Sequence, residues 1–185
     1  MKFVYRPTAL ESWVSRFYRN LNIYTPEDLD EEVIALALNI FLFRRDLSPL
    51  AYENGRFKSI TIDCRNPVEE QREQFYHELS HILRHAGYQN RMMPEAFREL
   101  QEWDARHFVR YAAIPYHMLH FIDFDEPDFL LSMAGKFGVT TALCQERIQK
   151  IKDNSVPNSI ASFSLAQYEK QQFFYHENGT NIPVL

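Results

Sequence analysis

The chain has 185 residues, 45% hydrophobic and 15% aromatic, which suits one compact domain with a small appended lobe and excludes a disordered chain. A formal net charge of −5 excludes a global positive field that would draw it to nucleic acid or acidic lipid. Two cysteines, Cys64 and Cys144, exclude a disulfide framework or a cysteine-rich metal cluster and read as small buried hydrophobes.

The N-terminal MKFVYRPTALESW has no apolar signal-peptide core, and no stretch reaches the roughly 18 apolar residues of a membrane span. The expected location is therefore the cytoplasm. Thr8-Ala9-Leu10-Glu11 is a capping-box pattern. It opens a helix with Leu10, Trp13, Val14, Phe17 and Leu21 at helical spacing. Thr25 and Pro26, followed by acidic residues, announce a second helix that carries Val33, Ile34 and Ala37 towards a core. Residues 39–44, NIFLFR, have the apolar density of a short strand. Residues 49–53 and 57–62 flank Asn54-Gly55, a strong hairpin signal, so about three antiparallel strands are expected.

Asn66-Pro67-Val68-Glu69 starts the next helix, which runs to His85 with Gly87 as its left-handed stop and Phe75, Leu79, Ile82 and Leu83 as its buried stripe. It contains His77-Glu78-Leu79-Ser80-His81. Histidines at i and i+4 share one helix face, where both imidazoles reach a single cation. Glu78 then stands where a zinc hydrolase keeps the carboxylate that takes a proton from water at the metal. A catalytic zinc needs a third protein ligand. The extended pattern HExxHxxGxxH fails, because Arg84 and Gly87 occupy its glycine and last histidine positions, and His85 lies too far along the axis. The helix between Pro94 and Pro115 offers Glu99, Glu102 and Asp104. On a helical wheel Ala105, Val109 and Ala112 cluster beside Glu102, whereas Asp104 sits among Phe97, Leu100 and Phe108, so periodicity leaves the choice open.

The segment from Glu102 to Val109, EWDARHFV, closing in Ala112-Ala113-Ile114-Pro115, resembles the ExxAxxFA…LLMP signature of the ImmA/IrrE metallopeptidases. HELSHILRH resembles their HELGHxLxH helix. Strands, hairpin, HExxH helix and ExxA helix arrive in that family's order, so the resemblance covers about residues 28 to 150. Ser80 stands for the common glycine, Val109 for the second alanine and Ala112-Ala113 for the leucine pair. These are packing changes that leave the ligands intact. The resemblance implies an α+β, zincin-like fold in which His77, His81 and Glu102 bind Zn²⁺, with Glu102 ahead of Asp104 as third ligand and Glu78 as the catalytic base. It implies a zinc endopeptidase that cuts a helix-turn-helix transcriptional repressor to release phage, mobile-element or stress genes. Two alternatives are an antirepressor that acts by binding alone and a DNA-binding regulator.

The remaining polar residues, His107, His117, His120 and His176, read first as core or surface histidines, though one of them, or Tyr76 or Tyr111, could stabilise an oxyanion. Residues 127–152 read as two helices about Phe137-Gly138-Val139-Thr140 and resemble the helix-turn-helix-like lobe of the same group. Lys136, Arg147, Lys150 and Lys152 give this lobe local positive charge, but Glu146, Asp153 and the overall acidity favour packing or protein docking over DNA. On that reading Leu130, Phe137 and Val139 form an apolar docking surface with Arg147 and Lys150 at its rim. The expected segments are an N-terminal helix at 1–24, a metallopeptidase core at 25–122, the helical lobe at 123–153 and a polar tail at 154–185.

Overall fold

The computed structural model describes residues 4–84 and 94–156. His85, Gly87, His176 and the tail beyond residue 156 lie outside them. The chain forms a larger compact unit, Pro7–Ile148, and a second unit whose described residues are 4–6 and 149–156. In the second unit β1 (Val4–Tyr5) pairs antiparallel with β5 (Ser155–Val156).

In the larger unit, α1 (Ala9–Asn20) starts at the expected capping box: the Thr8 hydroxyl accepts from the Glu11 N–H at 3.2 Å, and the Glu11 carboxylate accepts from the Thr8 N–H at 2.7 Å. Thr25 and Pro26 begin only one 3₁₀ turn, Pro26–Asp28. A new cap, Asp30, accepting from the Val33 N–H at 2.9 Å, then opens α2 (Glu31–Ala37). The interruption resets the helical phase, so Ile34 and Ala35 face inward while Val33 and Ala37 are exposed.

β2 (Ile40–Arg45), β3 (Leu50–Asn54) and β4 (Phe57–Asp63) form one sheet in the order β2-β4-β3. This corrects the expected antiparallel sheet. β3 and β4 are the antiparallel hairpin, but β4 inserts between β2 and β3 and so runs parallel to β2, with Leu42 opposite Ile60. Asn54 pairs with Phe57, which leaves Gly55-Arg56 as the loop. Gly55, at φ +60, takes the left-handed first position that such a turn demands.

α3 (Val68–Arg84) lies on this sheet and packs against α4 (Glu95–Ala113), which in turn meets α1. Ile60 and Ile62 from β4, Phe75, Tyr76 and Leu79 from α3, Ala105, Phe108 and Ala112 from α4, and Val14 and Tyr18 from α1 are fully buried. The Tyr18 hydroxyl donates to the Ala112 carbonyl at 2.8 Å. Small residues at 105, 112 and 113 let α4 approach its neighbours closely. After a 3₁₀ segment, Tyr116–Phe121, come α5 (Phe129–Phe137) and α6 (Thr141–Asp153).

The turn between α5 and α6 is held by two adjacent side chains of α3. Arg72 donates to the Phe137 carbonyl at the end of α5 (2.7 Å), and Glu73 accepts from the Thr140 N–H at the start of α6 (2.8 Å). Arg72 also pairs with Glu31 at 2.6 Å. Gly138, at φ +62, closes α5, and a Cβ there would lie 2.8 Å from the Arg72 guanidinium.

Two expectations about this helical pair, and one about a cysteine, are corrected. Phe137 and Val139 are buried in the core and present no docking surface. Arg147 is fully buried: it pairs with Glu11, itself fully buried, at 2.6 Å, donates to the Ile114 carbonyl at 3.1 Å, and lies over the Tyr111 ring. It is therefore a tie between α1 and α6, and no rim charge. Cys64, read as buried, is exposed because it follows the end of β4, whereas Cys144 on α6 is buried. No helix among the described residues is long and apolar enough to cross a membrane.

Candidate metal centre and cleft

His77 and His81 stand one turn apart on α3, and Glu102 reaches them from α4. Their ligating atoms close a small triangle. The two histidine Nε2 atoms are 3.2 Å apart, Glu102 Oε2 is 3.2 Å from His77 Nε2, and Glu102 Oε1 is 3.5 Å from His81 Nε2. Atoms each about 2.0–2.1 Å from one tetrahedral ion are separated by about 3.3–3.4 Å. Two imidazoles and one carboxylate at these spacings form a donor set that could hold a metal ion, and it is the one such cluster among the described residues. All three side chains are partly exposed, which leaves the centre open on one side.

The competing carboxylates stand elsewhere. Asp104 forms a two-pronged salt bridge with Arg84, at 2.8 Å and 3.0 Å, that ties α4 to the end of α3 just beyond His81. Glu99 is exposed on the first turns of α4. Ser80, at the position of the family's glycine, is fully buried and donates from Oγ to the His77 carbonyl at 2.7 Å, so its hydroxyl is absorbed within the helix.

Glu78 lies on α3 between the core stripe and the two histidines and is buried beside the triangle, against Ala51 of β3. Burial pushes its carboxyl up to about 7, the Glu102 charge adds to the rise, and a hydrogen bond from the backbone of Ala51 opposes it. A carboxyl with an affinity for protons near neutrality, held next to a metal-binding triad, is suited to accept and return a proton. β3 supplies that hydrogen bond as an edge strand, with β4 as its one sheet partner among the described residues.

His77 and Glu78 open into a cleft of about 940 Å³ that runs between α3 and α4 to the start of α6. Glu70, Glu73 and Gln74 line it from α3, Trp103, Arg106 and Arg110 from α4, and Glu146 from α6. Sequence reasoning overlooked these wall residues, although the helical repeat carries the signal: 102, 106 and 110 continue the Glu102 face, and 77, 74 and 70 the His77 face. Gln74 also accepts from the Asp63 N–H at 3.0 Å and so fixes the end of β4 against α3.

The other polar candidates are not on the cleft wall. Tyr76 and Tyr111 are buried, as is His117, whose Nε2 lies 3.4 Å from the Ile23 carbonyl. His107 packs at a tilt against Trp103, ring centroids 3.9 Å apart, and His120 packs beside Phe121.

Comparison with known proteins places this geometry in context. The IrrE N-terminal-like domain, Peptidase_M78, matches residues 31–149, a span that takes in the sheet, α3, α4 and most of the α5–α6 pair. The chain is 33% identical over 143 residues to the phage-like element PBSX protein XkdA of Bacillus subtilis (strain 168), covering 75% of this chain and 71% of that one. It is 29% identical over 146 residues to the uncharacterized protein YqaB of the same organism, covering 78% and 84%. No solved structure matches the chain at a significant level.

Proposed function

The chain belongs to the IrrE N-terminal-like family of Peptidase_M78 domains, and on that premise we propose that it is a zinc-dependent endopeptidase whose substrate is a helix-turn-helix transcriptional repressor. The observation that carries the reading is the triangle of His77, His81 and Glu102, with ligand atoms 3.2 to 3.5 Å apart and Glu78 buried beside it. The likeness to a phage-like element protein supports a setting in which repressor loss releases phage or mobile-element genes.

His77, His81 and Glu102 are the residues that would hold the zinc. When bound, the ion supplies a Lewis acid that polarises a peptide carbonyl and makes water acidic near neutral pH. Glu78 takes the proton from the attacking water and delivers it to the departing amide nitrogen. Burial of its carboxyl, which raises its proton affinity, suits both halves of that cycle. Among the described residues β3 is an edge strand, so its outer backbone can form strand-like hydrogen bonds with an extended peptide near Glu78. The cleft then keeps the chain on either side of the scissile bond oriented towards the carboxylate.

Coexpression with helix-turn-helix repressors encoded near this chain's gene, followed by a blot for a shortened product, tests the proposal directly. Wild-type protein should cut it, and Glu78→Gln, which keeps the shape but loses the base, should retain zinc and partner affinity while cleavage falls by at least about 10²-fold. If the Glu78→Gln protein relieves repression in cells as well as the wild type does, the protein acts by binding and the peptidase reading fails.

A further inference from the structure

The cleft carries charges that the proposed chemistry leaves unused. Besides Glu78, five charged side chains line it: Glu70 and Glu73 from α3, Arg106 and Arg110 from α4, and Glu146 from α6. Three are already committed, since Glu73 accepts from the Thr140 N–H at 2.8 Å and Arg110 pairs with Glu146 at 3.4 Å. Among the described residues, the Arg106 guanidinium meets no carboxylate, and Glu70 meets no cation.

These two uncommitted charges lie at different distances from the candidate ligands along their helices. Arg106 follows Glu102 by one turn on the same helix face, about 6 Å along the axis. Glu70 is two turns from His77, about 10 Å away along α3. A count of carboxylates would assign the cleft to basic substrates, but the free charge nearest the metal ligands is a cation. Trp103, 59% exposed on the same wall, adds a flat apolar surface beside it.

We propose that Arg106 is a specificity determinant, whose guanidinium receives the carboxylate of an Asp or Glu side chain of the bound peptide within about two residues of the scissile bond. The span follows from the rise of an extended chain, about 3.3 Å per residue, set against the 6 Å between Glu102 and Arg106 along α4. A guanidinium is the suitable receptor because its planar fork matches both oxygens of a carboxylate. Trp103 packs against the methylenes of the same side chain. The inference rests on the peptidase reading, which it deepens by naming the class of side chain that the cleft selects.

The test uses zinc-loaded wild-type, Arg106→Lys and Arg106→Glu proteins and a set of quenched-fluorescent decapeptides with Glu, Gln or Lys fixed at one position at a time. At a position near the cut, wild-type kcat/KM should favour Glu over Lys by about tenfold, with the difference carried by KM. Arg106→Lys should keep that order and Arg106→Glu should reverse it. The same peptides, titrated by fluorescence anisotropy into Glu78→Gln and into Glu78→Gln with Arg106→Glu, should show the same order and the same reversal in Kd. This second readout separates the two ideas: peptides that bind in the expected order and are never cut count against the peptidase and not against Arg106. An unchanged preference in Arg106→Glu overturns the inference. So does a uniform fall in kcat across all peptides, which would put the guanidinium on the reacting carbonyl. Because Arg106 is exposed, zinc content and melting temperature should match the wild type in both variants.

Discussion

The choice between Glu102 and Asp104 turns on what each carboxylate already holds. Asp104 satisfies both oxygens on Arg84, while Glu102 faces two imidazoles. Purified protein should therefore carry about one zinc per chain, His81→Ala and Glu102→Ala should each lose most of it, and Asp104→Ala should keep it, as metal analysis after dialysis will show. An emptied Asp104→Ala site with a full Glu102→Ala site reverses the assignment. The histidine spacing was legible in the sequence because i and i+4 on a helix admit one arrangement. Periodicity did not separate the two carboxylates, because both fit α4; the family resemblance favoured Glu102, and the structure sets Glu102 beside the histidines and Asp104 on Arg84. His117 gives a second test at this scale. Burial lowers its pKa to about 4, with the Arg19 charge acting in the same direction, against an ordinary value of 6.5. The unfolded chain thus binds the proton more readily, so the stabilisation is complete above pH 6.5 and is lost as pH falls towards 4. The loss is on the order of 3 kcal/mol. Urea denaturation of zinc-free protein should show this decline, and His117→Phe should flatten that share of it. An unaltered pH slope in the variant would mean that the imidazole does not stay neutral in the fold.

Among the elements, the hairpin and the capped start of α1 were readable because each rests on a few adjacent residues with fixed backbone demands. The parallel pairing of β2 with β4 was not, since an apolar run specifies neither direction nor neighbour and the order β2-β4-β3 is set by distant packing. α2 shows the same limit: a break at Leu29 rotated its buried face by resetting the phase. The α5–α6 turn was recognised from Gly138, but its partner on α3 was invisible. Gly138→Ala should destabilise the protein by about 1–2 kcal/mol from the left-handed backbone alone, and by more through contact with the Arg72 guanidinium. In a thermal-unfolding cycle, Gly138→Ala combined with Arg72→Ala should cost less than the sum of the two, because the second change removes the group that the new methyl strikes. Strict additivity would show that the turn and the guanidinium do not press on one another.

At the scale of the whole molecule, the family resemblance read from HELSH and EWDARHF is upheld by the match over residues 31–149, and with it the α+β architecture. What the sequence concealed is how the first helix enters that body. Glu11 looked like a cap and Arg147 like a surface charge, yet both are fully buried and meet at 2.6 Å. α1 and a helix more than a hundred residues later are thus joined by an ion pair packed against the Tyr111 ring. Arg147→Met should cost about 3–5 kcal/mol, because it leaves the Glu11 charge buried without its partner, and Glu11→Gln in the same protein should recover part of that loss. Equal stability of Arg147→Met and wild type in urea would show that the pair is solvated. The DNA-reading alternative weakens for the same reason, since one of its four basic residues is spent inside the fold.

The ten residues from Arg72 to His81 are all engaged. Arg72 and Glu73 hold the α5–α6 turn, Gln74 the end of β4, Phe75, Tyr76 and Leu79 the core, and Ser80 the helix backbone, while His77, Glu78 and His81 form the candidate centre. An amphipathic helix ordinarily has a lenient outward side, where substitutions drift freely once per turn. Here that leniency is missing for almost three turns. Random mutation should leave an unbroken block of intolerance across α3, with no 3.6-residue rhythm, and the rhythm should return only in its first turn, where Val68 is exposed.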